Sequence, residues 1–301
     1  MPGITSTLLR EQLRLIKPIV SNFSVEAERA AQDKLGALGA HALSSRVTIM
    51  PVKFENYLAC FVTPNDAPDT EKTVLYLHGG GYVAGDIHYS AGFGSVLAEK
   101  LGARVFCVAY RLAPEHPFPA ALEDALSAYK YLLGLGNRPE NISFAGESAG
   151  GGLIFSLCLK LREEGLPFPA ALAALSPWTD LTFSGATYDT NHRRDPTLSE
   201  QSLRGFAAAY APDDAQNPLV SPLFGDFTGF PPSLIIAGGD ELLLDDARML
   251  DSRLEQYGCE HTLYVEPGMW HVYAIFGTPE AQKALDMIKA ALYGGQDKSA
   301  E

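Results

Sequence analysis

Residues 141–150 read Asn141-Ile142-Ser143-Phe144-Ala145-Gly146-Glu147-Ser148-Ala149-Gly150, and an amphipathic run continues to residue 163. A strand-length apolar run thus enters a Gly-x-Ser-x-Gly motif, and a helical run leaves it at once. In a chain of 301 residues with 28 glycines, chance alone would place about 0.15 such motifs, so the five letters prove little by themselves. Their context decides. A serine projected from a tight strand-to-helix turn needs small neighbours to avoid collision, and the helix N-terminus behind it favours negative charge developing there. The segment therefore predicts an α/β fold with Ser148 as a nucleophile at the edge of a sheet.

Working outward, eight apolar runs of strand length stand at 46–51, 58–63, 73–77, 104–109, 141–145, 171–175, 233–237 and 261–265. Helical periodicity lies at about 91–100, 121–133, 150–163, 245–257 and 279–292. From the third strand onward most crossovers thus carry a helix, which implies a mostly parallel eight-stranded sheet buried on both faces. Residues 46–292 are read as this catalytic domain. Residues 1–45 fall outside the alternation and read as two N-terminal cap helices, 6–20 and 24–38, each opened by a serine cap. Residues 178–225 separate strands six and seven by far more than the usual connection. They are expected to be a cap insertion, with one helix near 199–210 and a proline-punctuated stretch after it. Residues 293–301 form a polar tail.

His78-Gly79-Gly80-Gly81-Tyr82 follows the third strand. A tetrahedral oxyanion needs backbone N–H donors at close approach, which glycines permit because no Cβ stands in the way. The donors are assigned to Gly80, Gly81 and Ala149, the last being the residue after the nucleophile. A phosphate-binding loop is disfavoured, since both the Gly-x-Gly-x-x-Gly spacing and a Walker lysine are missing. His78 reads as a residue that holds the loop.

Composition narrows the partners. With 47% hydrophobic and 20% charged residues the chain is globular, and a formal net charge of −13 would repel nucleic acid and anionic lipid. No apolar run approaches the ~18–20 residues of a membrane helix, and Arg10 and Glu11 interrupt the N-terminal apolar stretch, so neither export nor membrane insertion is expected. Cys60, Cys107, Cys158 and Cys259 lack metal-ligand spacing and read as reduced thiols, which fits the cytoplasm. The final strand is expected at a sheet edge, where a second copy could pair to give a homodimer.

The sequence closely resembles the hormone-sensitive lipase family of α/β-hydrolase esterases. The resemblance rests on His78-Gly79-Gly80-Gly81, on residues 110–120 (Tyr110-Arg111-Leu112-Ala113-Pro114-Glu115-His116-Pro117-Phe118-Pro119-Ala120), on Gly146-Glu147-Ser148-Ala149-Gly150-Gly151 and on Gly268-Met269-Trp270-His271. It covers roughly residues 40–292. Glu147 stands where the family more often has Asp, which keeps a carboxylate. The resemblance implies hydrolysis of short to medium acyl esters, with no metal or organic cofactor and a small-molecule ester as substrate. Lactonase, amidase or carbamate hydrolase activity would use the same chemistry. A non-catalytic receptor on this fold is disfavoured, because the histidine is retained.

His271 lies in a loop after the last strand-like run, and hydrolases of this fold run serine, acid, histidine along the chain. It is read as the base. The acid must follow strand seven, where Asp240 and Glu241 are adjacent. Family members carry Asp-Pro-Leu-x-Asp downstream of a Pro-Pro pair. Laying that pattern without a gap from Pro231-Pro232 puts Glu241 on the acid, Leu243 on the leucine and Asp245 on the second aspartate. Asp240 is the alternative, and it would need an inserted residue. Asp245 and Asp246 read as first-turn acids of the following helix.

Overall fold

Each strand-length run becomes a strand in the computed structural model, which describes residues 2–20, 29–30, 32–34, 37, 41–68 and 70–294. The strands are β1 Val47–Lys53, β2 Leu58–Pro64, β3 Thr73–Leu77, β4 Arg104–Ala109, β5 Ile142–Glu147, β6 Leu172–Leu175, β7 Ser233–Gly238 and β8 His261–Glu266. They form one sheet in the order β1-β2-β4-β3-β5-β6-β7-β8. β2 runs antiparallel to β1 and β4, and every pairing from β4 to β8 is parallel.

The helices whose bounds lie within the described residues are α1 Ile4–Val20, α2 Ile87–Leu101, α3 Ala120–Gly134, α4 Ala149–Glu163, α5 Thr187–Thr190, α6 Glu200–Tyr210, α7 Leu244–Gln256 and α8 Pro279–Tyr293. Helices α2, α3, α4 and α7 are crossovers between parallel strands. Successive strand residues point to opposite faces, so the continuous apolar runs feed two cores. Leu75, Leu77, Phe144 and Ile235 join the core under α3, α4 and α7. Val74, Tyr76, Ala145 and Ile236 join the one under α2 and α8.

Two helix starts differ from the sequence reading. The first crossover helix begins at Ile87 and not at 91, because Asp86 caps it, its Oδ1 accepting from the Tyr89 N–H at 2.8 Å. Helix α1 begins at Ile4, so Ser6 is not its cap. Ser6 is fully buried, and its hydroxyl donates to Glu280 at the start of α8. A tertiary partner has overridden the local capping preference. The second N-terminal helix, expected at 24–38, falls largely outside the described residues, although 29–30, 32–34 and 37 are helical. The tail beyond 294 also lies outside them.

Strand order reverses between β3 and β5, and loops at the carboxyl ends of strands on either side of such a reversal border a crevice. The glycine loop after β3 and the turn after β5 are thereby neighbours. Among the described residues no helix is long and apolar enough to cross a membrane.

Candidate active site

Ser148 sits between the end of β5 and the start of α4 with φ 55° and ψ −122°, a conformation L-residues rarely adopt. The surrounding backbone holds it there. Its N–H donates to the Leu175 carbonyl at 2.9 Å, and its own carbonyl accepts from Gly152 at 3.1 Å and Trp178 at 2.9 Å. A Cβ on Gly150 would run into the carbonyls of Leu77 and His78, so the turn needs glycine there for close approach.

His271 is buried in the loop after β8, and its Nε2 lies 2.9 Å from Ser148 Oγ. Glu241, fully buried in the loop after β7, places Oε2 3.9 Å from His271 Nδ1. That separation is longer than a hydrogen bond. Among the described residues, His271 Nδ1 and Glu241 Oε1 have no hydrogen-bond partner. Asp240 turns elsewhere: its carboxylate pairs with Arg10 and Arg194. The structure thus brings Ser148, His271 and Glu241 together and sends Asp240 to another set of partners.

Burial moves both members of the His271–Glu241 pair toward neutrality. Desolvation pushes the imidazole down to about 3 and the carboxyl up to about 8, with the charges of Asp195 and Asp246 adding to the latter. When His271 takes up a proton, attraction between the two charges opposes both shifts.

Gly80 and Gly81 adopt φ 104° and 63°, in the region open to glycine at little cost. Both line a cavity of about 160 Å³ together with Ser148, His271, Gln32, Leu198 and Phe206. Ala149 is the first residue of α4 and fully buried. His78 is buried and its Nδ1 lies 2.7 Å from the Gly79 carbonyl, so that nitrogen carries the proton. The ring stacks on Tyr110 at 4.2 Å, and burial pushes it down to about 4.

Two contributors escaped the sequence reading. Ser176, just past β6, donates its hydroxyl to Glu241 Oε2 at 2.7 Å and accepts the Val272 N–H at 2.9 Å, tying the acid to the histidine loop. Its signal was a polar residue at the carboxyl end of a parallel strand, between those bearing Ser148 and Glu241. Glu147, the variable letter of the motif, accepts the Gly79 N–H at 2.6 Å and the Tyr76 hydroxyl at 2.7 Å, so it ties the glycine loop to the nucleophile turn. Burial pushes its carboxyl up to about 7, against the pull of these hydrogen bonds. Asp246 also does more than face a helix dipole. It accepts the N–H groups of Thr179 and Asp180, each at 3.0 Å, and so anchors the start of the long connection after β6.

Among the described residues, Asp33, Asp86 and His88 bring three potential metal ligands within 4.8 Å of one another. None of them lines the Ser148 cavity. A hydrogen bond to Asp86 and the charge of that carboxylate raise the Asp33 carboxyl.

The sheet order, the helical crossovers and the strained serine turn together define an α/β hydrolase. In agreement, a family profile described as the alpha/beta hydrolase fold matches residues 74–275. An acetyl-hydrolase of Streptomyces hygroscopicus is 42% identical over 224 residues, 73% of this chain and 75% of its own. An esterase of Acinetobacter venetianus is 31% identical over 285 residues, 93% of this chain and 92% of its own. Among solved structures, an esterase from the bacterial hormone-sensitive lipase family superposes with a TM-score of 0.86 at 34% identity, covering 97% of this chain and 98% of that one. The esterase EstE5, in a crystal soaked with p-nitrophenyl butyrate, superposes with a TM-score of 0.90 at 34% identity, covering 96% of this chain and 98% of that one. The chain belongs to the hormone-sensitive lipase family of α/β-hydrolase fold esterases.

Proposed function

We propose that this carboxylester hydrolase acts on short to medium acyl esters through an acyl-enzyme on Ser148, with His271 as base and Glu241 as acid. The observation that carries the reading is the 2.9 Å contact between Ser148 Oγ and His271 Nε2 beside the glycine loop. In the first half-reaction Oγ attacks the ester carbonyl while Nε2 takes the hydroxyl proton. The carbonyl oxygen becomes an oxyanion facing the N–H groups of Gly80, Gly81 and Ala149. Its collapse breaks the bond to the alcohol, which leaves with the proton held by His271. Water then attacks the acyl-enzyme by the same route, releasing the acid and restoring Ser148.

Residues 1–45 and 178–225 form the cap in this reading. In support, Gln32, Leu198 and Phe206 line the cavity that also holds Ser148. The cytoplasm is the proposed location. Cys60, Cys107, Cys158 and Cys259 are free thiols, as a reducing compartment would keep them. β8 stands at one end of the sheet order, where a second copy could pair.

The cavity, at about 160 Å³, is smaller than the ~300–1,000 Å³ pockets that take drug-sized ligands. A series of p-nitrophenyl esters from acetyl to palmitoyl tests the acyl preference. We expect kcat/KM to peak between acetyl and hexanoyl and to fall for longer chains; a maximum at lauroyl or beyond would refute the short-acyl reading.

The pH profile is a further test. Neutral His271 is the active form, and desolvation pushes its pKa down to about 3. A lowered pKa extends the neutral form to more acidic solution, so the acid limb of kcat/KM is expected below the ordinary histidine value of about 6.5. An acid limb above that value would contradict the burial argument.

A further inference from the structure

The loop that carries Glu241 is gripped from outside the sheet. The Asp240 side chain is only 6% exposed, and its Oδ2 lies 2.6 Å from Arg10 Nη2 on α1. Its Oδ1 meets Arg194, in the connection between α5 and α6. The Arg10 guanidinium reaches further. Nη1 donates to the Gly268 carbonyl at 2.9 Å, three residues before His271, and Nη2 donates to the Arg194 carbonyl at 3.0 Å. The Asp240 N–H donates to the Met269 carbonyl at 2.9 Å, so the two loops also bond each other directly.

Neighbouring residues of the insertion hold the same loop. Asn191 donates to the Glu241 carbonyl at 2.9 Å, and the Leu242 N–H donates to Asp195 Oδ2 at 3.0 Å. Lys17 of α1 in turn donates to the Asp195 carbonyl at 2.6 Å.

We propose that Arg10 is a positioning residue for the hydrolytic reaction: by bridging Asp240 and the Gly268 carbonyl it sets the separation between Glu241 and His271. The inference rests on the reading of those two residues as acid and base. A guanidinium is a rigid planar fork, so contacts from its two terminal nitrogens fix the relative position of whatever they touch. Here they touch the residue adjoining Glu241 and the turn leading to His271. The 3.9 Å between Glu241 Oε2 and His271 Nδ1 lies about 1 Å beyond hydrogen-bond length. A shift of either loop by that amount makes or breaks the contact. Arg10 is largely buried, at 14% exposure, so its charge is poorly screened and holds Asp240 firmly. Cap docking and the geometry of the acid–base pair thereby become one event.

The test compares Arg10→Met and Arg10→Lys in two backgrounds, the natural chain and Glu241→Gln, with a fluorogenic butyrate ester as substrate. In the natural chain Arg10→Met is expected to lower kcat by about 10- to 100-fold, the scale of a misplaced reacting group. KM should stay within about twofold, because ester binding is untouched. Arg10→Lys should lose less kcat, since one ammonium can meet Asp240 or Gly268 but not reproduce the fork. In the Glu241→Gln background both substitutions should cost less than about twofold, because residues acting as a unit are not additive.

Equal losses in the two backgrounds, a loss confined to KM, or no loss at all would overturn the proposal. If Glu241→Gln alone turns over normally, it is the acid assignment that fails, and the positioning role falls with it. Asp240 keeps Arg194 as a counter-charge, so the fold should survive, which far-UV circular dichroism checks. Arg10→Lys carries the same comparison if Arg10→Met does not fold.

Discussion

Replacing Ser148 by alanine is expected to lower kcat for p-nitrophenyl butyrate by ~10⁶, the usual cost of losing a nucleophile that works as a unit with its base. The fold should not notice. The serine turn is held by backbone hydrogen bonds to Leu175, Gly152 and Trp178, none of which uses the hydroxyl. The hydroxyl itself meets His271 Nε2. Alanine keeps the same Cβ, so the strain at φ 55° is neither relieved nor increased. The far-UV spectrum and the thermal midpoint should therefore match the natural protein. Residual activity above about 1%, against the ~10⁶-fold loss expected from such units, would remove Ser148 from the mechanism.

Glu241→Gln should be the second most damaging change, with kcat falling on the order of 10⁴ by analogy with other triads. Glutamine is nearly isosteric, and its amide oxygen can still accept from Ser176 and from the Gly238 N–H, now 2.7 and 3.0 Å from Oε2. What it cannot supply is negative charge beside the imidazolium that forms as His271 takes the serine proton. Asp240→Asn should be far milder, at most about tenfold in kcat, because asparagine still accepts from Arg10 and only the positioning contact weakens. Kinetics of the two variants side by side decide the register. A dead Asp240→Asn enzyme next to a normal Glu241→Gln enzyme would show that the acid is one residue earlier.

Much of this arrangement was legible in the sequence, for identifiable reasons. The inner strands are buried on both faces and read as unbroken apolar runs, whereas β1 is largely exposed and β8 half-buried at the two ends of the sheet; all eight still sit within a residue or two of their expected places. Gly146 to Gly150 could be read because the turn leaves room for little but glycine. What escaped depends on partners remote in the chain. Ser176 acts on Glu241 from 65 residues away, and no local pattern marks it apart from its place at a strand end. Ser6 looked like a helix cap, since capping is the commonest use of a serine there, but its partner Glu280 is 274 residues distant. Glu147 was visible only as a motif position, and its grip on Gly79 appears once β3 and β5 are neighbours.

The grouping of Arg10, Arg194 and Asp240 has a bearing on protein engineering. These residues come from three segments that sequence comparison would treat as separate modules: the leading helix, the long insertion and a strand-end loop. Recombining relatives at the boundaries of those modules would assemble mismatched triplets, stranding a poorly solvated charge next to the acid. The unit that can be exchanged intact is therefore a lock with its two keys, so library design for altered ester preference should vary the side chains facing the cavity and inherit positions 10, 194 and 240 from a single parent.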